Sequence, residues 1–221
     1  IGSGETSSDL DYESTSSLAL NSGTIKDAAL NAATLTLATP GDPNSLGHNK
    51  ALIVDTSVPT LVSAVTRDNN LDGTVDRLVL TFSEQVDLTS VDNNNFTLTE
   101  SVGGSSLAIS GSYSSSDQTT VTLTLTGVTA NNTSLTISPD YDDATGTIKD
   151  NAGNEMSFSE TVSGTDGASP AMLSAATGDS NTNGSVDQIV ITFSEQVDLS
   201  NVDNNNFTLT ESAGGSSLAV S

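Results

Sequence analysis

An all-β fold in tandem sandwich repeats is predicted by three features of the sequence. The stretch from Asp68 to Ser110 recurs, with few changes, from Asp179 to Ser221, at a constant offset of 111 residues. Short apolar segments alternate with polar residues at a period of two, which is typical of half-buried strands. We find no segment of useful length with the 3.6-residue period of a helix. A repeat this long corresponds to a whole small domain, so the chain is expected to be part of an array.

Seven short strands are predicted in the complete repeat. In residues 120–126 the alternation is strict, with Val and Leu on one face and Thr on the other. Seven strands in about 110 residues, separated by turn residues, are typical of an immunoglobulin-like sandwich. The predicted strands are 61–66, 75–82, 96–100, 107–112, 119–126, 134–138 and 156–162.

The complete repeat is predicted over residues 57–167, bounded by two linkers that start with Asp and end with Pro. The linkers span residues 55–59 and 166–170 and again lie 111 residues apart. Proline cannot donate to a strand ladder, so it marks the boundary before a first strand. Residues 168–221 match the first half of the complete repeat. They are therefore predicted to be the N-terminal half of a further repeat.

Residues 1–56 are predicted to be the C-terminal half of an Ig-like repeat. Within them, residues 24–31 (TIKDAALN) parallel residues 147–154 (TIKDNAGN), which close the complete repeat. Leu30 stands where the closing sequence has Gly153. Because glycine adopts backbone conformations that leucine avoids, a different turn is expected at Leu30.

Two explanations account for a chain with half a repeat at each end. Half a sandwich exposes unpaired strand edges and apolar faces. In the first explanation, the residues are an excerpt of a longer polypeptide. In the second, each end supplies half a sandwich that the next copy completes, which gives a head-to-tail filament because such a heterologous contact does not close. The expected partners are therefore other copies of the repeat, in a homopolymer or in a longer array.

Composition excludes several functional classes. The net charge is −23, from 28 acidic and 5 basic residues, so the chain cannot neutralise the phosphates of a nucleic acid. It has no cysteine, which excludes a disulfide-stapled module. No apolar run of about 18 residues is present, so no membrane span is expected in this segment. The abundance of Ser, Thr and Asn with few Lys fits a secreted surface protein better than a cytosolic one.

Each copy of the repeated stretch opens with a loop of spaced oxygen-bearing residues. The loop reads D-x-N-x-D-G-x-x-D in the first copy and D-x-N-x-N-G-x-x-D in the second. Alternating oxygen ligands with a glycine at the sharp turn suit calcium, although the distal Glu and the helices of an EF-hand are missing. Calcium is therefore the predicted cofactor, bound more weakly by the second loop, which has one carboxylate fewer. The predicted metal-binding residues are Asp68, Asn70, Asp72, Asp76, Asp166, Asp179, Asn181, Asn183 and Asp187.

Asp166 belongs to this set because of the expected topology. If the strands alternate in direction, the loop after the first strand lies where the last strand exits, beside the linker that contains Asp166. Stacked domains would then bring acidic loops face to face, and a divalent ion at each junction would remove the repulsion and stiffen the array. The competing interpretation is an ordinary Asn/Asp/Gly turn on a solvated acidic surface. The opposite end of the domain is expected to gather Asp87, Asp92, Asp140, Asp142, Asp143 and Asp150.

The sequence offers no catalytic constellation, and we predict that the protein is not an enzyme. His48 is the only histidine and lies in a segment rich in Pro, Gly and Asn. No Ser-His-Asp arrangement with motif support can be built around it. Paired carboxylates are numerous, but sandwich loops with few aromatic residues make a poor sugar-cleaving cleft.

The motifs of the complete repeat resemble bacterial Ig-like repeats of surface-layer proteins and large adhesins, notably the SbsA-type Ig-like domain. The resemblance rests on a linker proline followed by 61–64 (LVSA), on 80–87 (LTFSEQVD), and on 148–155 (IKDNAGNE) with its Asp-x-x-Gly-Asn turn. The middle motif recurs at 191–198. The resemblance covers essentially the whole chain and implies an exported, cell-surface, non-enzymatic role.

From these features we predict a structural extracellular repeat protein that forms a calcium-stiffened stalk, filament or surface layer. The alternative is an adhesin module whose loops bind a glycan or a host or cell-surface protein. Clustered exposed aromatic residues would favour adhesion. Tyr12, Tyr113 and Tyr141 are scattered along the chain, which favours the structural interpretation.

Overall fold

The computed structural model describes residues 1–100, 106–126, 137–141, 147–157, 161–203, 207–210 and 217–218. The first segment, residues 1–56, has little regular structure. It contains a short antiparallel pair, β1 (Thr6–Ser7) with β2 (Val54–Asp55), and one helical turn, α1 (Leu46–Asn49), whose N-cap is Ser45. None of the helices in this described part of the chain is long and apolar enough to cross a membrane.

The complete repeat forms one seven-stranded sheet that folds over on itself. Its strands are β3 (Leu61–Arg67), β4 (Arg77–Phe82), β5 (Phe96–Glu100), β6 (Ser106–Ser114), β7 (Thr120–Thr126), β8 (Ile137–Tyr141) and β9 (Gly164–Thr165), and their order is β8-β5-β6-β7-β4-β3-β9. The long strand β6 pairs with both β5 and β7 and has a register shift between Ile109 and Tyr113. Strand β8 contacts β3 and β9, at the other end of the order. The prediction of an all-β, Ig-like architecture is confirmed.

The core lies between the folded halves of this sheet and follows the predicted alternation. In β4 every second residue is buried, and β7 repeats the pattern with Val121, Leu123 and Leu125. Tyr141 is fully buried, packs edge-to-face on Phe96 at 6.4 Å between ring centroids, and its hydroxyl accepts a hydrogen bond from the Ile148 amide at 3.1 Å. Thr and Ser on the outer faces leave a lean aliphatic core, as the low aromatic content predicts.

The end of the repeat differs from the prediction. The predicted last strand, 156–162, is not a strand where it is described: Met156 is buried in the core, and Thr161 forms an isolated bridge with Asp140. The last strand is β9, which pairs in parallel with β3 through Ala64 and Val65. Its two residues, Gly164 and Thr165, show none of the apolar alternation that identifies strands in a sequence. The predicted strand 134–138 lies partly outside the described residues.

The hairpin that follows the second linker repeats the first hairpin of the complete repeat. Strand β10 (Met172–Gly178) pairs with β11 (Gln188–Phe193) in the register of β3 with β4, including the shift after the first pair. A short 3-10 turn (Leu199–Asn201) and the pair β12 (Leu209–Thr210) with β13 (Ser217–Leu218) follow. Unlike their counterparts, the residues of β10 and β11 are mostly exposed.

The turn in the first segment has the geometry of its counterpart, so the expected difference at Leu30 is wrong. Leu30 has φ +72°, and Gly153 has φ +92°. Both lie in the left-handed region, which is strained for a residue with a Cβ. The hydrogen bonds around the turn hold Leu30 in this conformation, because the Asp27 carboxylate accepts from the backbone amides of Ala29 and Asn31.

Candidate metal sites

The first acidic loop connects β3 to β4 and is closed by its own side chains. The Gly73 amide donates to Asp68 Oδ2 at 2.8 Å, and the Asn69 amide donates to Asp76 Oδ1 at 3.0 Å. Asn70 Oδ1 accepts from the Asp72 amide at 3.1 Å. The last of these is an Asx turn. The loop bends through the left-handed region at Leu71, with φ +57°, and at Gly73, with φ +89°.

Asp68 is the unusual residue of this loop. Its side chain and backbone together are only 7% exposed, and its Oδ1 is buried without a hydrogen-bond partner among the residues that the structure describes. Leaving a buried carboxylate oxygen unpaired costs free energy on the order of 1–3 kcal/mol or more. A hard cation would satisfy that oxygen, and carboxylate and amide oxygens are the ligands that calcium takes. The donor set of the loop therefore fits a calcium ion.

The geometry of the remaining predicted ligands is looser. Within the described part of the chain, Asp68, Asp72 and Asp76 do not form a group of three carboxylates with oxygens within 4.8 Å of one another. Asp76 Oδ2 instead lies 3.6 Å from Arg77 Nη1. Filling the site with all the predicted ligands would thus require the exposed side of the loop to close over the ion.

Asp166 lies at the end of the domain where the topological argument put it. The parallel pairing of β9 with β3 brings the second linker beside Thr66 and Arg67. Thr66 Oγ1 donates to Asp166 Oδ1 at 3.5 Å, and Arg67 Nη1 donates to the Gly167 carbonyl at 2.6 Å. The acidic loop and Asp166 therefore share one end of the complete repeat.

The second loop, between β10 and β11, has the same turns, but its first Asp accepts hydrogen bonds differently from Asp68. Asp179 uses both oxygens: Oδ2 accepts from the Gly184 amide at 2.7 Å and Oδ1 from the Asn183 amide at 3.1 Å. The Asp187 carboxylate accepts from the Ser180 amide and hydroxyl and from Asn181 Nδ2. Hydrogen bonds from the Ser180 amide and hydroxyl outweigh the opposing effect of desolvation and lower the pKa of Asp187. This loop is satisfied by its own residues.

The segment after the second linker packs against the first loop at Gly73. A Cβ placed on Gly73 would lie 2.7 Å from Leu173 Cδ2 and 2.9 Å from Ser194 Cβ. Around Gly184, no heavy atom of the described structure lies within 4 Å of such a Cβ. The first loop therefore contacts the segment that follows the second linker, whereas the glycine of the second loop has no such neighbour in the described structure.

A second acidic group lies at the opposite end of the complete repeat. One oxygen each of Asp55, Glu84 and Asp150 lies within 4.8 Å of the other two. The pKa of Glu84 is raised, first by burial and then by the charges of Asp55 and Asp150. Both oxygens of Asp150 already accept hydrogen bonds from its own turn, so this geometry establishes like-charge proximity and assigns no ion.

Sequence reasoning anticipated only one member of that group. Asp150 was expected at this end, but Asp55 comes from the first linker and Glu84 from the turn after β4, and only the tertiary fold joins them. Asp140 bonds Thr161 at 3.0 Å, and the Asp87 and Asp92 carboxylates accept from residues of their own turns. Asp142 and Asp143 lie outside the described residues.

The remaining polar and aromatic candidates form no second site among the described residues. His48 is exposed in α1, and its backbone amide donates to Ser45 Oγ at 3.2 Å. Tyr12 donates its hydroxyl to the Ala38 carbonyl at 2.6 Å, and Tyr141 is in the core. The Tyr113 side chain lies outside the described part. An exposed aromatic cluster, which would favour adhesion, is thus not seen in the described side chains.

Comparison with known proteins identifies the domain. Residues 55–164 match the family model of the bacterial Ig-like domain. Solved structures that resemble the chain include the N-terminal part of the bacterial S-layer protein SbsC, at 22% identity and a TM-score of 0.39 over 54% of this chain and 26% of that one. Domains 1–6 of SbsC align at 20% identity and a TM-score of 0.39, over 72% of this chain and 19% of that one. The chain therefore spans about a fifth to a quarter of these structures. No curated protein matches the sequence.

Proposed function

Because residues 55–164 make the chain a member of the bacterial Ig-like domain family, we propose that it is a structural, non-enzymatic protein of the cell surface. Its Ig-like repeats form a stalk, a filament or a surface layer, and calcium stiffens the junctions between them. The observation that carries the calcium part is the buried, unpartnered Oδ1 of Asp68. An ion bound at this oxygen removes the free-energy cost of leaving it unpaired, which favours binding of the ion.

The location of Asp68 connects the ion to mechanical stiffness. Gly73, in the same loop, packs against Leu173 and Ser194 of the next segment, while Arg67 holds the linker through Gly167. An ion that fixes the loop therefore also fixes the surface on which the next repeat rests. This contact supports a rod of defined geometry rather than a flexible string of domains.

The charge of the chain supports the same proposal. With a net charge of −23, stacked repeats repel one another, and the repulsion between nearby exposed carboxylates is reduced only partly by salt. A divalent cation at the junction neutralises charge where the domains are closest. The stiffening is therefore expected to depend on calcium more than on ionic strength.

Calcium titration of the full 221-residue chain tests this proposal. We expect calcium to raise the thermal unfolding midpoint, since a ligand that binds only the folded state stabilises it by about 2.7 kcal/mol at a hundredfold excess over its Kd. Small-angle scattering should show a longer, more uniform particle in calcium than in chelator. Unchanged melting and scattering after chelation would contradict the proposal.

Two matched substitutions locate the site. Asp68→Asn should abolish most of the calcium-induced shift, whereas Asp179→Asn, at the equivalent position of the second loop, should leave most of it. Magnesium serves as the control for ion selectivity, because it demands a tighter octahedral shell. Circular dichroism of both variants in chelator verifies the fold. A full calcium response in Asp68→Asn would exclude this loop as the site.

A further inference from the structure

We propose that the outward face of β3, β4 and β7 binds the same face of a second copy of this chain, side by side and antiparallel. This contact rests on the proposed structural role and names the surface through which neighbouring repeats meet. The residues between these outward positions are buried in the core. We call the surface the arginine face, and its three cross-strand rows are Ser63, Thr81 and Thr120; Val65, Val79 and Thr122; and Arg67, Arg77 and Thr124.

The arginine face carries no carboxylate, which is unusual in so acidic a chain. The chain has 28 acidic residues and a net charge of −23, yet the three rows hold only hydroxyl, valine and arginine side chains. In the other half of the folded sheet, the outward positions include Asp140, which is exposed opposite Thr97. Two molecules with this net charge repel each other. Their closest approach is therefore favoured where carboxylates are absent.

Two of the 5 basic residues of the chain face each other in the last row. Arg67 and Arg77 are direct cross-strand partners, and like charges at such positions destabilise a strand pair. Strands β10 and β11 pair in the same register with Gly178 and Gln188 at the equivalent positions. The hairpin therefore forms without the arginines, which indicates that they have another role.

Each arginine is held through one nitrogen and keeps further donors for a ligand. Arg67 Nη1 donates to the Thr66 and Gly167 carbonyls at 3.2 and 2.6 Å. Arg77 Nη1 donates to the Asp76 carbonyl at 2.8 Å and lies 3.6 Å from Asp76 Oδ2. Within the described part of the chain, Nε and Nη2 of both arginines have no hydrogen-bond partner. Guanidinium groups with such free donors bind carboxylates through two parallel hydrogen bonds.

A carboxylate lies at the other end of the arginine face. Asp117 is exposed just before β7, and its Oδ1 accepts from the Thr119 and Thr120 amides at 3.0 and 2.7 Å. Its backbone carbonyl accepts from Gln85 Nε2 at 3.1 Å, so it lies beside the turn after β4. Along β7, Thr120 and Thr124 are about 13 Å apart. The face thus has guanidinium groups at one end, a carboxylate at the other, and valine and threonine between them.

This arrangement is self-complementary. A twofold axis through the middle row, at Val79 and Thr122, brings the arginine end of each copy over the Asp117 end of the other. Sheets stack face to face about 10 Å apart, a gap that an arginine side chain spans. Each contact then occurs twice, as in any isologous dimer. Burial of the valines of the middle row favours association, and the opposite charges at the two ends select the antiparallel orientation.

Sedimentation equilibrium of the full chain tests the proposal. We expect a monomer–dimer equilibrium that Thr122→Glu weakens by roughly 30- to 100-fold, because this variant places two like charges beside the axis. Thr99→Glu introduces the same charge on the outward face of β5 and should dimerise like the parent. Circular dichroism verifies that both variants are folded. A strictly monomeric parent would overturn the proposal, and so would equal effects of the two substitutions.

A mixing experiment tests the orientation of the two copies. Thr122→Glu mixed with Thr122→Lys should form a heterodimer, since the two substituted positions lie beside each other across the axis. Arg77→Gln, which introduces the residue that the second copy has at the equivalent position, should weaken dimerisation roughly tenfold through the loss of a charge-assisted contact. Failure of the mixture to associate would overturn the twofold arrangement. Unchanged dimerisation of Arg77→Gln would overturn the role of the arginines.

The calcium response separates this proposal from the proposed function. Each variant is measured by sedimentation and by thermal unfolding, in calcium and in chelator. A parent that dimerises without a calcium-induced shift in melting supports the lateral contact and contradicts the calcium-stiffened junction. A parent that stays monomeric and melts higher in calcium overturns the lateral contact and leaves the junction supported.

Discussion

The first hairpin of the complete repeat and its copy after the second linker have nearly the same sequence and the same strand register, yet opposite environments. Val75 is 1% exposed and Val186 is 65% exposed; Leu78 is 0% exposed and Ile189 is 37% exposed. In the complete repeat, Val75 and Leu78 belong to one buried core that also contains Leu98, Tyr141 and Ile148. The difference shows that strand pairing is determined locally, whereas burial depends on partners that are distant in sequence.

Alanine substitutions at equivalent core positions should give the largest difference between the two hairpins. Leu78→Ala is expected to destabilise the complete repeat by about 3 kcal/mol, from lost burial and a cavity. Ile189→Ala should cost less than about 1 kcal/mol, because this residue is partly exposed already. Urea unfolding followed by tyrosine fluorescence, with Tyr141 in the core as the reporter, measures both. Equal costs would mean that the second face is covered in solution.

Replacing the glycine of each acidic loop with alanine should give a smaller difference between the two hairpins. Gly73→Ala and Gly184→Ala share the cost of a left-handed alanine, about 1 kcal/mol. Gly73→Ala must also push Leu173 and Ser194 away, because its Cβ would approach them to 2.7 and 2.9 Å. Hydrogen exchange should therefore show faster exchange on both sides of the junction in Gly73→Ala only. The same pattern in Gly184→Ala would contradict the contact.

The smallest expected effect concerns pH and the acidic group at the other end. The raised pKa of Glu84 means that the folded state holds this proton more tightly than the unfolded chain does. The ionised Glu84 carboxylate therefore destabilises the folded state at neutral pH. This destabilisation disappears as the pH falls through the folded-state pKa toward the usual 4.5. Glu84→Gln should raise stability at pH 7 by up to about 1 kcal/mol and flatten this dependence.

Glu195→Gln is the matched control for that measurement, since it removes the equivalent carboxyl of the second copy. Thermal unfolding from pH 7 down to pH 4.5 compares the two variants with the parent. If Glu195→Gln reproduces the effect of Glu84→Gln, the result reflects net charge alone. A destabilised Glu84→Gln at neutral pH would show that this carboxylate takes part in a favourable interaction.

Much of the hairpin structure could be predicted from the sequence. Strict alternation in residues 120–126 gave β7 to within one residue, and β5 matched its predicted bounds, because a period of two directly reflects the two faces of a sheet. β9 was missed, since two residues carry no periodicity. The turn at Leu30 was also misjudged, because side-chain hydrogen bonds from Asp27 outweigh the local preference of leucine.

By itself, the sequence determined the all-β class, the 111-residue repeat and the acidic loops, because alternation, offset and spacing are local or periodic properties. Only the tertiary structure decided how the environments of equivalent residues differ between the two copies. It buried Asp68 and left Asp179 more accessible, and it joined Glu84 to a linker and a closing turn. It also covered one hairpin face and exposed the other. Burial and like-charge proximity arise from residues far apart in the chain, so identical motifs acquire different chemistry.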